Sequence, residues 1–138
     1  MTFVDNNDFA LIIQPTQLTQ LVGISGQSQI DLAVEMAMAE IKSYLIQKYD
    51  VDAEYSATGV TRSLQLRMAV VDVALYILHS RISPNNVPDL RNNRYNSTIS
   101  WLKGCATGKV TPALAEIDIT TTGARIRFGS DPKQSNKY

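Results

Sequence analysis

The stretch that most suggests chemistry is "WLKGCATGKVT", residues 101 to 111. Gly104, Gly108 and Lys109 stand nearly where a phosphate-binding loop places its two glycines and its lysine. That loop needs four residues between the glycines and a Ser or Thr after the lysine, whereas here three intervene and Val110 follows. The stretch also follows a helical pattern instead of a strand. It therefore predicts a helix end closed by Gly108, and not a nucleotide site.

The other reactive side chains are isolated. Cys105 is the only cysteine and His79 the only histidine, so neither a disulfide framework nor a Cys/His zinc cluster can form. We expect Cys105 to pack in the core and His79 to flank a buried helix face. The acidic stretches at 5–8 and 50–52 lack the Gly and distal Glu of a calcium loop. We therefore expect no enzyme activity, no cofactor and no metal.

The spacing of apolar residues predicts a mainly α protein. A short helix is expected to begin near Pro15, followed by long helices over 28–49, 62–82 and about 88–108. Residues 50–61 have no periodicity and predict a loop. The second long helix has the widest apolar stripe and is expected at the centre of a small bundle. Its stripe consists of Leu64, Met68, Val71, Leu75, Leu78 and Ile82.

The C-terminal part of the chain differs in character. Residues 116–128 are rich in β-branched side chains and then alternate charged with apolar ones, which predicts an extended or β-hairpin arm turning near 122–123. The sequence thus divides into a helical domain at 1–112 and an arm with a polar tail at 113–138.

The net charge of zero hides an uneven distribution. Residues 1–60 hold two basic and eight acidic residues, a balance of −6, and residues 61–138 hold eleven basic and five acidic residues, a balance of +6. Such a division suits surfaces that meet one another, although two solvated faces would also account for it. No apolar run approaches the roughly 20 residues of a membrane span, and the N-terminus lacks a secretion signal, so we expect a soluble, unexported protein.

Three helical segments carry a family resemblance. In order and spacing, "AMAEIKSYLIQKYDV" (37–51), "VVDVALYILHSR" (70–81) and "RYNSTISWLKGCATGKVT" (94–111) resemble the Mu-type head-tail adaptor family of tailed bacteriophages. Lys48 replaces the Arg usual in that family, and Thr98 replaces a small Ala. The residues that match its motifs are Ile41, Tyr44, Leu45, Tyr49, Asp72, Ala74, Tyr76, Arg94, Tyr95, Trp101, Leu102, Gly108 and Lys109.

The resemblance implies a structural virion protein, made in the host bacterial cytoplasm and located at the head-tail junction. It implies a closed ring, commonly a dodecamer, that joins the phage portal protein, extends the channel for genomic DNA without reading its sequence, and docks the tail or further connector proteins. No membrane is implied.

The resemblance spans about residues 28–112, and the segment from Glu116 onward matches nothing in the family. Adaptors of this general kind often grip the portal with an extended terminal arm, and the strand propensity of residues 116–128 suits that role. The residues expected to do so are Ile117, Ile119, Arg125, Ile126, Arg127 and Phe128. A hairpin that folds back on its own bundle is the alternative for this segment. For the whole chain, the alternative is a small helical nucleic-acid-binding protein, because "DLRNNRYNSTISWLK" (89–103) interleaves basic and aromatic residues.

Overall fold

The computed structural model describes residues 3–82 and 85–117. Within these two ranges the chain is mainly helical, as predicted, with six α-helices and two 3₁₀ turns. The helices are α1 (Asn6–Ala10), α2 (Pro15–Val22), α3 (Gly26–Leu45), α4 (Val51–Tyr55), α5 (Leu64–Ile82) and α6 (Asp89–Thr107), and the 3₁₀ turns are Gly23–Ser25 and Gly59–Thr61.

Helix α5 lies at the centre of the bundle, which confirms the prediction. It packs against α3 and α6, and α1 and α2 also contact it. Every residue from 70 to 75 is buried. A helix that is buried around most of its circumference must contact several neighbours.

The predicted stripe of α5 is wrong at its ends. Leu64, Met68 and Ile82 are exposed, whereas Leu66 and Ala69 are buried. Periodicity shows which residues share a helix face, but it does not show whether a neighbouring element covers that face.

Helix α3 begins two residues before its predicted start and ends at Leu45, four residues before its predicted end. Its inner face is the predicted one, because Ile30, Val34, Ala37 and Ile41 are all buried. These residues recur at three- and four-residue steps, so they form one stripe that faces α5 and α6.

The prediction of a structureless loop over residues 50–61 is wrong. Asp50 caps α4 by accepting a hydrogen bond from the Ala53 backbone N–H at 3.1 Å. The Tyr55 hydroxyl at the other end donates to the Met38 carbonyl of α3 at 2.9 Å. A five-residue helix is too short to show a period, so only its cap could have indicated it.

Helix α1 ties the N-terminus to the start of α5. Asp5 and Asp8 form a capping box around its first turn, and Phe9 is buried. Asp8 is itself buried, and it accepts from Arg67 Nη1 at 2.7 Å and from Arg62 Nη1 at 3.5 Å. These ion pairs neutralise an acidic residue of the first part of the chain with two arginines of the second.

The end of α6 confirms that the glycine-lysine stretch closes a helix. Gly108 has φ +86° and its N–H donates to the Cys105 carbonyl at 3.3 Å. Val110 then folds back, and its N–H donates to the Gly104 carbonyl at 3.1 Å. A Cβ at position 104 would lie 2.8 Å from Val110 Cγ2, so the close approach requires glycine.

The chain after α6 runs back along the α3–α4 connection. The Asp50 N–H donates to the Ala115 carbonyl at 2.9 Å, and the Ile117 N–H donates to the Lys48 carbonyl at 3.1 Å. An isolated antiparallel bridge lies between these two bonds. The first residues of the predicted arm are therefore paired with their own bundle.

Candidate assembly surface

The second and third resemblance segments meet at an ion pair between α5 and α6. Asp72 is only 7 % exposed, and its carboxylate accepts from Arg94 Nε at 2.6 Å and from Arg94 Nη2 at 3.1 Å. A planar guanidinium can satisfy both carboxylate oxygens at once, which a lysine cannot do. This pair therefore fixes the register between the two helices.

Tyr95 joins the third segment to the other two. The rings of Tyr76 and Tyr95 stack with their centroids 4.0 Å apart and their planes 13° from parallel. The Tyr95 hydroxyl donates to Glu40 Oε2 on α3 at 2.8 Å. Burial, followed by this hydrogen bond to the Glu40 carboxylate, raises the pKa of Tyr95. The three segments thus meet at one junction of ionic, hydrogen-bonded and aromatic contacts.

A groove lined by arginines lies beside this junction, between α5, α6 and the α1 region. Arg67, Arg91 and Arg94 line it together with the carboxylate of Asp8, and Asp72 lies in an adjoining depression. We call this surface the arginine groove. Its exposed apolar lining side chains, each 42 to 77 % exposed, are Leu11, Leu64, Met68 and Leu90.

The arginine groove contains donor groups that the fold leaves unmatched. In the part of the chain that the structure describes, four buried side-chain nitrogens have no hydrogen-bond partner, namely Arg67 Nε, His79 Nε2, Arg91 Nη1 and Trp101 Nε1. Arg67 and Arg91 line the groove itself, and Trp101 and His79 line depressions that continue it in two directions. Buried polar groups are normally paired, and all four of these nitrogens belong to side chains that line this series of adjoining pockets.

Electrostatics in the groove favour an anionic partner. Arg91 is only 7 % exposed. Burial and then the neighbouring Arg94 charge lower its pKa, while Asp72 opposes them. Burial, followed by the Arg91 charge, lowers the pKa of His79 and favours its neutral imidazole.

Of the six residues that the sequence analysis predicts for portal binding, one lies within the described ranges. Ile117 is half-buried and paired through its backbone with Lys48. The other five, Ile119, Arg125, Ile126, Arg127 and Phe128, lie outside the described residues, as does the turn expected near 122–123. Their expected role stays a prediction.

The isolated reactive side chains are also placed. Cys105 is fully buried as expected, and burial raises the pKa of its thiol, which disfavours the reactive thiolate. Among residues 3–82 and 85–117, no group of three or more His, Cys, Asp and Glu side chains is arranged to hold a metal ion. None of the helices described is long and apolar enough to cross a membrane.

The sequence did not reveal the arginine groove. Arg91 and Arg94 lie three residues apart on α6, which places them on one helix face. Arg67 belongs to α5, and its position beside them depends on how the two helices pack. The sequence therefore indicated only part of the groove, namely two arginines on one face of α6 next to Leu90.

Comparison with known proteins agrees with the resemblance of the three segments. Residues 3–127 match the family model described as bacteriophage Mu, Gp36. The chain has no significant match among curated proteins or solved structures. The family match spans all six helices, including the junction and the arginine groove. The chain therefore belongs to the bacteriophage Mu Gp36 family and is a phage protein.

Proposed function

We propose that this protein is a structural component of the virion that forms a closed ring, commonly a dodecamer, beneath the phage portal protein at the head-tail junction. The ring extends the DNA channel and offers a docking surface to the tail or to further connector proteins. It is made in the host bacterial cytoplasm, performs no catalysis and requires no cofactor. Family membership supports the assignment to the virion.

The arginine groove is the observation that carries the proposal. It combines apolar side chains that water can reach with buried donors that no group of the described chain satisfies. Exposed apolar groups beside unmatched polar ones characterise protein interaction surfaces. Such a surface suits a protein that works by binding other proteins, which supports a role in an assembly.

The alternative of a dedicated nucleic-acid binder receives less support. Arg62 and Arg67 are paired with Asp8, and Arg94 is paired with Asp72. These contacts leave fewer guanidinium groups for phosphates than the sequence suggested. The basic residues therefore suit protein contacts along a channel better than a DNA-binding helix face.

The C-terminal arm is proposed to supply the contact with the portal. An extended segment can add main-chain hydrogen bonds to a sheet edge while alternate side chains set the register. The backbone of Ile117 already bonds to Lys48, so we assign the contact to the residues that follow it in the sequence. The proposed contact residues are Ile119, Arg125, Ile126, Arg127 and Phe128.

The test is the mass of purified portal rings measured by analytical ultracentrifugation with and without this protein. The full-length chain is expected to add a ring of copies, visible by electron microscopy as a collar below the portal. Portal rings whose mass does not change at saturating protein would overturn the proposed function.

Two truncations locate the portal contact. A chain ending at Ile117 is expected to keep its helical circular dichroism and to lose portal binding. A chain ending at Gly129 lacks only the polar tail and serves as the matched control, which should bind normally. Equal portal binding by all three forms would assign the contact to the helical bundle instead of the arm.

A further inference from the structure

The outer face of α3 carries an acidic and apolar pattern that no element of the described chain covers. Leu32 and Met36 are 52 % and 51 % exposed, and Glu35 is also exposed. Asp31 lies four residues before Glu35, so the two carboxylates share this face with the two apolar side chains. We call these four residues the acidic face.

The acidic face and the arginine groove are complementary in chemistry. Three arginines, Arg67, Arg91 and Arg94, and one aspartate line the groove, so it carries a net positive charge beside exposed leucines. The acidic face offers carboxylates and apolar side chains at the four-residue spacing with which a helix docks into a groove. The two surfaces are therefore opposite in charge, and both have exposed apolar side chains.

We propose that the arginine groove binds the acidic face of a second copy of this chain. The carboxylates of Asp31 and Glu35 of one copy lie against the net positive charge of the groove of the next. Leu32 and Met36 pack among the exposed apolar side chains of the groove. The inference deepens the proposed function and rests on it, since it names the contact between neighbouring copies in the ring.

The apolar lining of the groove argues for a helix over a phosphate backbone. Leu11, Leu64 and Leu90 are each more than half exposed around the arginines. A phosphate backbone would satisfy the guanidinium groups but would leave these leucines in water. A helix that carries both carboxylates and apolar side chains covers both kinds of group.

The two surfaces have different positions on the bundle. The groove is lined by residues of α5, α6 and the α1 region, and no residue of α3 contributes to it. The acidic face lies opposite the α3 stripe that packs on α5 and α6. A contact between two unlike patches is heterologous, so each copy retains one free surface until the ring closes.

Two surface variants separate the halves of the contact. Glu35→Lys disrupts the acidic face and leaves the groove intact. Leu90→Asp disrupts the groove and leaves the acidic face intact, and an aspartate is compatible with the first turn of α6. The matched controls are Glu116→Lys and Val60→Asp, which make the same chemical changes at exposed residues outside both surfaces.

The experiment measures self-association by sedimentation velocity, for each variant alone and for an equimolar mixture. Each variant alone is expected to weaken self-association by about tenfold or more, while both controls match the wild type. The mixture retains one intact groove and one intact acidic face, so it should form a one-to-one dimer and nothing larger. Unchanged association of either variant, or a mixture that stays monomeric, would overturn the inference.

The portal distinguishes this inference from the proposed function. Self-association of the wild type without portal binding would overturn the proposed function and leave the copy-to-copy contact standing. Portal binding by copies that never contact one another would overturn the inference alone. If Leu90→Asp abolishes portal binding but not self-association, the groove binds the portal and the inference is wrong.

Discussion

The Asp72 carboxylate and the Arg94 guanidinium form a two-point ion pair across the α5–α6 contact, with bonds of 2.6 and 3.1 Å. Asp72 is buried, and Arg94 is about one-third exposed at its side chain. The pair lies beside the arginine groove and positions Arg94 within it. A single contact therefore supports both the packing of the bundle and the shape of its candidate assembly surface.

Arg94→Ala is expected to lower the free energy of unfolding by about 1 to 3 kcal/mol, because it leaves the buried Asp72 carboxylate without its partner. Arg94→Lys should lose part of this amount, since an ammonium cannot replace the two-point geometry. Urea denaturation measures both, with Arg81→Ala at an exposed position of α5 as control. A loss equal to that of the control would mean that the pair does not stabilise the fold.

Leu75→Ala is expected to cost about 2 to 4 kcal/mol, since Leu75 is fully buried at the centre of α5 and its removal leaves a cavity. Leu64→Ala makes the same change in the same helix at an exposed position and should cost much less. Chemical denaturation of the two variants compares them directly. Similar losses would contradict the central position of α5.

Gly104→Ala is expected to destabilise the protein by about 1 to 3 kcal/mol, because the new Cβ would lie 2.8 Å from Val110 Cγ2. The sign is diagnostic, since this substitution inside an unobstructed helix normally stabilises by about 0.5 to 1 kcal/mol. Val110→Ala in the same chain should recover part of the loss in a double-mutant cycle. A stabilised Gly104→Ala protein would show that the chain after α6 does not pack closely on it.

His79 is expected to make stability fall as the pH drops below about 6.5, the value for an unfolded histidine. Burial and Arg91 lower its pKa in the folded protein, so the unfolded chain takes up the proton first and acid favours unfolding. His79→Gln should flatten the change in unfolding free energy between about pH 7.5 and 5.5. Since the chain has one histidine, an unchanged slope in the variant would contradict the lowered pKa.

The sequence predicts the long elements of the fold well, for an evident reason. Helices α3, α5 and α6 each contain several turns, so the three- and four-residue recurrence of apolar side chains is repeated often enough to stand out. Helices α1 and α4 have five residues each and cannot show such a recurrence. Their only signals are the capping residues Asp5 and Asp50, which occur equally often in turns.

The candidate surface was much less accessible to sequence reasoning. The division of charge between the two parts of the chain predicted surfaces of opposite charge. Part of that charge is neutralised within the fold, because Asp8 forms ion pairs with Arg62 and Arg67. Which donors remain unmatched depends on the packing of α5 against α6. Leu64 and Ile82, at the ends of the α5 stripe, are exposed for the same reason. Whether another element covers a helix residue depends on packing that the sequence pattern does not specify.

The backbone bond from Ile117 to Lys48 holds the last described residue close to the end of α3. The outer face of the same helix is the acidic face, which is proposed to contact a neighbour. In a closed ring, symmetry would place Ile117 of every copy at the same radius and height. If the segments after Ile117 bind the portal as proposed, the ring would make many weak and equivalent contacts at once. Avidity, and not the strength of one contact, would then hold the two rings together.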